Sequence, residues 1–194
     1  AGKLKKYFLY LAKKFNLKLE AVLTDGSEPI GNGVGPLFEM QDVIKVLTRK
    51  NPPRDLEEKS VLLAGKLLEL AGFKNGNKKA LEILNSGKAL EKFKEIIKAQ
   101  RGNINYLRNL KPKFSHNVKR KKGKIKHINN KLINKLARIA GCPEDKSAGI
   151  YLNKKKNEIV NNEIILTIYA DSREKLEHAV KFYEENKGKV VEFY

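Results

Sequence analysis

From Thr24 to Met40 the chain reads TDGSEPIGNGVGPLFEM, with four glycines and two prolines in seventeen residues. Glycine frees the backbone and proline fixes it, so no regular helix or strand runs through such a segment. What it joins must therefore be held by a loop of defined shape. Before it, LKLEAVLT alternates Leu17, Leu19, Ala21 and Leu23, the period of a strand. After it, Leu37, Met40, Val43, Ile44 and Leu47 recur at helical spacing, and Pro36 suits a first helical turn, where its missing N–H costs nothing. Strand, glycine loop and helix is a generic anion-binding geometry. Carbonyls freed by the loop could equally hold a cation, with Asp42 or Glu39 supplying charge. A plain structural turn is the third reading. GNGVG lacks the last glycine of a dinucleotide fingerprint, and no Gly-Lys-Ser/Thr of a Walker loop occurs.

The rest of the first hundred residues is helical in pattern. Leu4, Phe8, Leu11 and Phe15 share a stripe of a first helix that Asn16 can stop. NPPRD breaks the helix begun at Pro36, and a long one follows, with Asp55 as N-cap, Glu58 completing a capping box and Gly72 as stop. NKKALEILNSG and KALEKFKEIIKAQRG give two shorter helices. At LKPKF the pattern changes. HNVKR and GKIKHI read as two short strands joined by a basic turn around Gly123. NKLINKLARIAG is an amphipathic helix with Leu132, Leu136 and Ile139 on one face; AGIYL and EIILTIYA are strands; a helix capped by Ser172 follows; KVVEFY closes as a strand. Residues 1–103 are thus mostly helical in pattern with one strand, 104–113 a linker, and 114–194 an antiparallel-sheet α+β domain.

The 194 residues carry a formal net charge of +19. A basic nucleic-acid-binding module is one reading of that charge. Compositional bias is the other, because Lys, Asn, Ile and Glu dominate together while Trp is absent. The densest run, KRKKGKIK at 119–126, reads as a solvated hairpin tip without interleaved aromatics for base stacking. No apolar run approaches the roughly 18 residues of a membrane span. The single cysteine, Cys142, forms no internal disulfide and fits a reducing cytoplasm. His116, His127 and His178 lack metal-ligand spacing, and no catalytic triad order, HExxH or CxxC occurs.

AVLTDGSEPIGNGVGPLFEMQDVIKVL resembles the thymidine and pyrimidine-nucleoside phosphorylase family through Thr24, Asp25, Pro29, Ile30, Gly31, Gly35 and Glu39. Gly26-Ser27 and Pro36 are similar to its archaeal AMP phosphorylase branch, while Glu28 departs from the usual Gln. EKSVLLAGKLLELAG and SGKALEKFKEIIKAQRG extend the resemblance. So do Gly149-Ile150, Asn157 to Val160 and Glu163, with Asn157 and Asn162 standing where glycine is usual.

The resemblance covers nearly the whole chain but only the C-terminal part of the family, and it implies a fold class of α/β plus α+β, with residues 1–103 the mostly helical remainder of an α/β lobe. It implies phosphorolysis, in which phosphate attacks the ribose anomeric carbon and the base leaves. Phosphate and a nucleotide or nucleoside are then substrates, no cofactor is required, and the whole enzyme is at least a homodimer in the cytoplasm. Neither a membrane nor nucleic acid is expected as a partner. The family's phosphate and base segments lie upstream, so no catalytic residue is expected in this chain, and alone it should be inactive. Met40 is the only methionine, which agrees with the interior of a longer chain. The resemblance also implies a monovalent or calcium cation held by carbonyls of Ile30 and Gly33 and the carboxylate of Asp42, where a longer Glu is usual. Thr24, Asp25, Pro29, Gly31, Gly35 and Glu39 are expected to shape the loop.

Overall fold

The computed structural model describes residues 1–194, except for the side chains at positions 107 and 108. The chain opens with helix α1 (Gly2–Lys14), closed by Asn16 in the left-handed region that Asn tolerates. Residues 17–24 follow without regular structure. Strand β1 (Gly33–Val34) ends the glycine loop and leads into α2 (Pro36–Thr48). Helices α3 (Arg54–Leu70), α4 (Gly76–Asn85), α5 (Lys88–Ala99) and the short α6 (Tyr106–Asn109) complete the helical part.

The second part is built on strand β2 (Phe114–Ile128), helix α7 (Asn130–Ile139), strands β3 (Gly149–Leu152) and β4 (Ile159–Ala170), helix α8 (Arg173–Val190) and strand β5 (Val191–Phe193). The five strands form one antiparallel sheet in the order β1-β3-β4-β2-β5. Its core is aliphatic: Ile125, Ile133, Leu136, Ile150, Val160, Leu166, Ile168 and Val190 are essentially sealed from solvent. Side-chain oxygens fix both helix starts. Asn129 accepts from the amides of Lys131 and Leu132 at α7, and Ser172 from Lys175 at α8, as Ser172 was expected to do. The helical first part and the antiparallel α+β second part are therefore the architecture. Val34 of β1 belongs to the second core, so the glycine loop supplies an edge strand to the C-terminal sheet.

Three local expectations are corrected. Residues 17–24 do not form a strand: the described residues place no neighbour beside them, and an unpaired strand leaves its backbone groups to water. The stretch 114–128 is one strand and not a hairpin, so KRKKGKIK is not a turn. Its first ten or so residues pair with β4, from Phe114 opposite Ala170 to Lys124 opposite Ile159, and its end pairs with β5. Gly123 serves this strand by leaving room for the Phe193 ring, which lies 2.8 Å from where a Cβ would sit. Finally, α3 is preceded by Pro53 and has no side-chain cap. Asp55 turns instead toward the glycine loop.

Candidate functional site

The loop 24–35 lies among four segments that are distant in sequence. Its first half is tied to the C-terminal domain. The carboxylate of Glu28 meets His127 Nδ1 of β2 at 2.8 Å and Lys156 Nζ of the β3–β4 turn at 3.1 Å. That contact raises the Lys156 pKa, through the hydrogen bond first. Asn130, at the start of α7, donates its Nδ2 to the Gly26 carbonyl at 3.2 Å. Asp25 stays within the loop. Its Oδ1 accepts the Ser27 amide at 2.9 Å, and that bond holds its carboxyl below the usual carboxylate range.

The second half of the loop is organised by carboxylates. Asp42 is 1% exposed, although it is charged. Its Oδ2 accepts the amides of Asn32 at 2.6 Å and Gly33 at 2.8 Å, and its Oδ1 accepts Lys45 Nζ at 3.0 Å. Lys45 also donates to the Tyr151 hydroxyl at 3.2 Å. Burial lowers the Lys45 pKa, but these two hydrogen bonds outweigh it and the net shift is upward. Glu39 accepts the Gly35 amide through Oε1 at 2.9 Å, closing the N-terminus of α2 onto the loop. Gly35 has φ +117°, and a Cβ there would lie 2.6 Å from the Ala148 carbonyl, so only glycine fits. On the other flank Lys155 Nζ donates to the Gly31 carbonyl and, at 3.0 Å, to Asp55, which also accepts the Gly31 amide at 3.3 Å.

Two cavities adjoin this loop. Thr24, Asp25, Asn32, Asp55, Lys59 and Lys155 are among the residues lining an open cleft of about 690 Å³. Ile30, Gly33 and Asp42, the three expected cation ligands, share a smaller cavity of about 290 Å³ with Pro29, Gly31 and Glu39. Among the described residues no three His, Cys, Asp or Glu side chains gather into a metal-binding group.

Residues 124–188 match the pyrimidine nucleoside phosphorylase C-terminal domain. Over 188 residues, 93% of this chain, it is 45% identical to the AMP phosphorylase of Methanococcus aeolicus. It is 36% identical to AMP phosphorylase 1 of Archaeoglobus fulgidus over 96% of its length. With the AMP phosphorylase of Methanococcoides burtonii it shares 39% over 98% of its length. The C-terminal domain of the pyrimidine nucleoside phosphorylases is thus matched by residues 124–188, and nearly the whole chain is similar to AMP phosphorylases. It spans only 37 to 39% of the length of these three relatives.

Where the sequence departs from the pattern it resembles, the departures have local causes. Asn157 and Asn162 stand at φ 69° and 54°, the left-handed region where Asn is the best substitute for glycine. Glu28 meets two side chains of the C-terminal part, the Lys156 ammonium and the His127 ring. Sequence reasoning found the loop and its two acidic partners on α2. It missed Lys45, Asn130, Tyr151, Lys155 and Lys156. The lysines sit in an abundant residue class, and their partners are 3 to 128 positions away, so spacing gives no signal. Asp55 was visible only as a helix cap.

Proposed function

We propose that this chain is the structural C-terminal portion of an AMP phosphorylase, a glycosyltransferase that moves ribose from adenine to phosphate. Phosphate oxygen forms a bond to the anomeric carbon while the carbon–nitrogen bond to the base breaks and the base leaves with its electron pair. The transition state is oxocarbenium-like, so rate comes from placing phosphate and stabilising the leaving base. The observation that carries this reading is the 45% identity to an AMP phosphorylase along 93% of the chain. The relatives compared above are all named AMP phosphorylases, which favours AMP over thymidine as substrate.

The chain's own contribution is positional. Its glycine loop ties α2 and α3 to the C-terminal sheet through Asp42, Asp55, Lys155 and Glu28, which gives a stiff wall to the 690 Å³ cleft. Phosphate, base and catalytic groups belong to the remainder of the enzyme, which assembles as at least a homodimer in a reducing cytoplasm where the Cys142 thiol persists. The test is the natural gene product supplied with phosphate and either AMP or thymidine. Adenine release from AMP, well above thymine release from thymidine, is expected. Thymine release as the faster reaction would overturn the substrate assignment.

A further inference from the structure

The family resemblance places a cation among Ile30, Gly33 and Asp42, and the donor set found there does not fit one. Calcium requires six to eight oxygens, carboxylates among them. Both oxygens of Asp42 already accept hydrogens: Oδ2 from two amides and Oδ1 from an ammonium. A metal bound at Oδ2 would face the partial positive charge of the Asn32 and Gly33 amide hydrogens. Glu39, the nearest other carboxylate on α2, accepts the Gly35 amide. The Gly31 carbonyl and the Asp55 carboxylate are taken by Lys155 Nζ. The charges of Asp42 and Asp55 are balanced by those of Lys45 and Lys155, which leaves no uncompensated negative charge between them for an added cation.

We infer that two tethered ammonium groups, Lys45 and Lys155, do the loop-organising work that the resemblance assigns to a bound cation. An ammonium is a compact point charge with three rotatable donors, close in role to a monovalent metal ion. Lys155 joins three segments at once: the β3–β4 turn that carries it, the Gly31 carbonyl of the loop, and Asp55 at the start of α3. Lys45 joins α2 to β3 through Asp42 and the Tyr151 hydroxyl, with its Nζ 5.1 Å from the Tyr151 ring centre. A built-in cation makes the loop independent of ion concentration, and it links the helical part to the C-terminal sheet covalently on one side.

The inference concerns the loop alone, so it is tested without reference to activity or substrate. The melting temperature of the full chain is measured in sodium, potassium, calcium and choline chlorides at matched ionic strength, together with Lys155→Met and Lys154→Met. Lys154 pairs with Glu163 at 2.7 Å away from the loop and serves as the surface control. The wild-type melting temperature should be the same in all four salts. Lys155→Met should fall by about 4 °C or more and Lys154→Met by about 1 °C or less. A specific wild-type rise in potassium or calcium would overturn the inference, even if the Lys155 variant failed to fold. Equal losses in the two variants would also overturn it.

Discussion

Asp42 is a buried carboxylate whose partners are two amides and one ammonium. Asp42→Ala leaves those amides without an acceptor and Lys45 without its carboxylate, a loss of about 3 kcal/mol, because breaking a buried pair strands its partner. Denaturant unfolding should show that loss, together with faster hydrogen exchange at the Asn32 and Gly33 amides. A change below about 1 kcal/mol would mean the loop holds its shape by other contacts. At Gly35 the left-handed backbone and the approach to the Ala148 carbonyl act together, and Gly35→Ala should lower stability by about 2 kcal/mol or more. Tyr183 supplies a pH dependence. Burial raises its phenol from 10.0 to about 12, so the neutral form is favoured in the fold. Its stabilisation is complete below pH 10 and is lost as the pH rises toward 12, by about 2–3 kcal/mol. The raised Lys45 acts in the same direction, since its ion pair is lost as that amine deprotonates above its ordinary 10.5. Tyr183→Phe should unfold at higher pH than wild type. Identical alkaline midpoints would exclude Tyr183 as a source of the alkaline loss.

Among the elements, α7 and α1 have similar patterns and different fates. α7 places Ile133 and Leu136 in the sealed core, whereas on α1 Leu4, Phe8, Leu11 and Phe15 are between 44% and 64% exposed. Leu136→Ala should therefore cost about 2–5 kcal/mol, and Phe8→Ser within about 0.5 kcal/mol, both read from denaturant midpoints. A large loss from Phe8→Ser would show that α1 is packed in the free chain. The same contrast shows what the sequence could reveal. Apolar periodicity correctly marked α1, α2, α3 and α7, because a helix satisfies its own backbone. It failed at Leu17–Leu23, because a strand needs a neighbour and alternation does not say whether one exists. It failed also at β2, where a glycine in a lysine run looked like a turn. The reason for that glycine is the ring of Phe193, seventy residues away along the chain. The loop residues Asp42 and Glu39 were legible from their place on α2. Their lysine partners were not, since nothing local separates Lys155 from its two neighbours in KKK.

At the scale of the molecule, the two parts are connected through the glycine loop rather than only through the chain between them. β1 is an edge of the C-terminal sheet, and Phe38 of α2 stacks on Tyr169 of β4 with ring centres 4.6 Å apart. Such a unit can hold a shape. Phosphorolysis needs a convergent set of donors that grip phosphate against a sugar, which the proposed function assigns to the remainder of the enzyme, and misplacement by about 1 Å already costs a hundredfold in rate. The most direct measurement is release of adenine from AMP by the purified 194-residue chain, with phosphate in excess, in a sample whose circular dichroism shows it folded. The prediction is no release above the rate without protein. Turnover comparable to that of the natural gene product would contradict it, and would place the catalytic groups among the residues assigned here to structure.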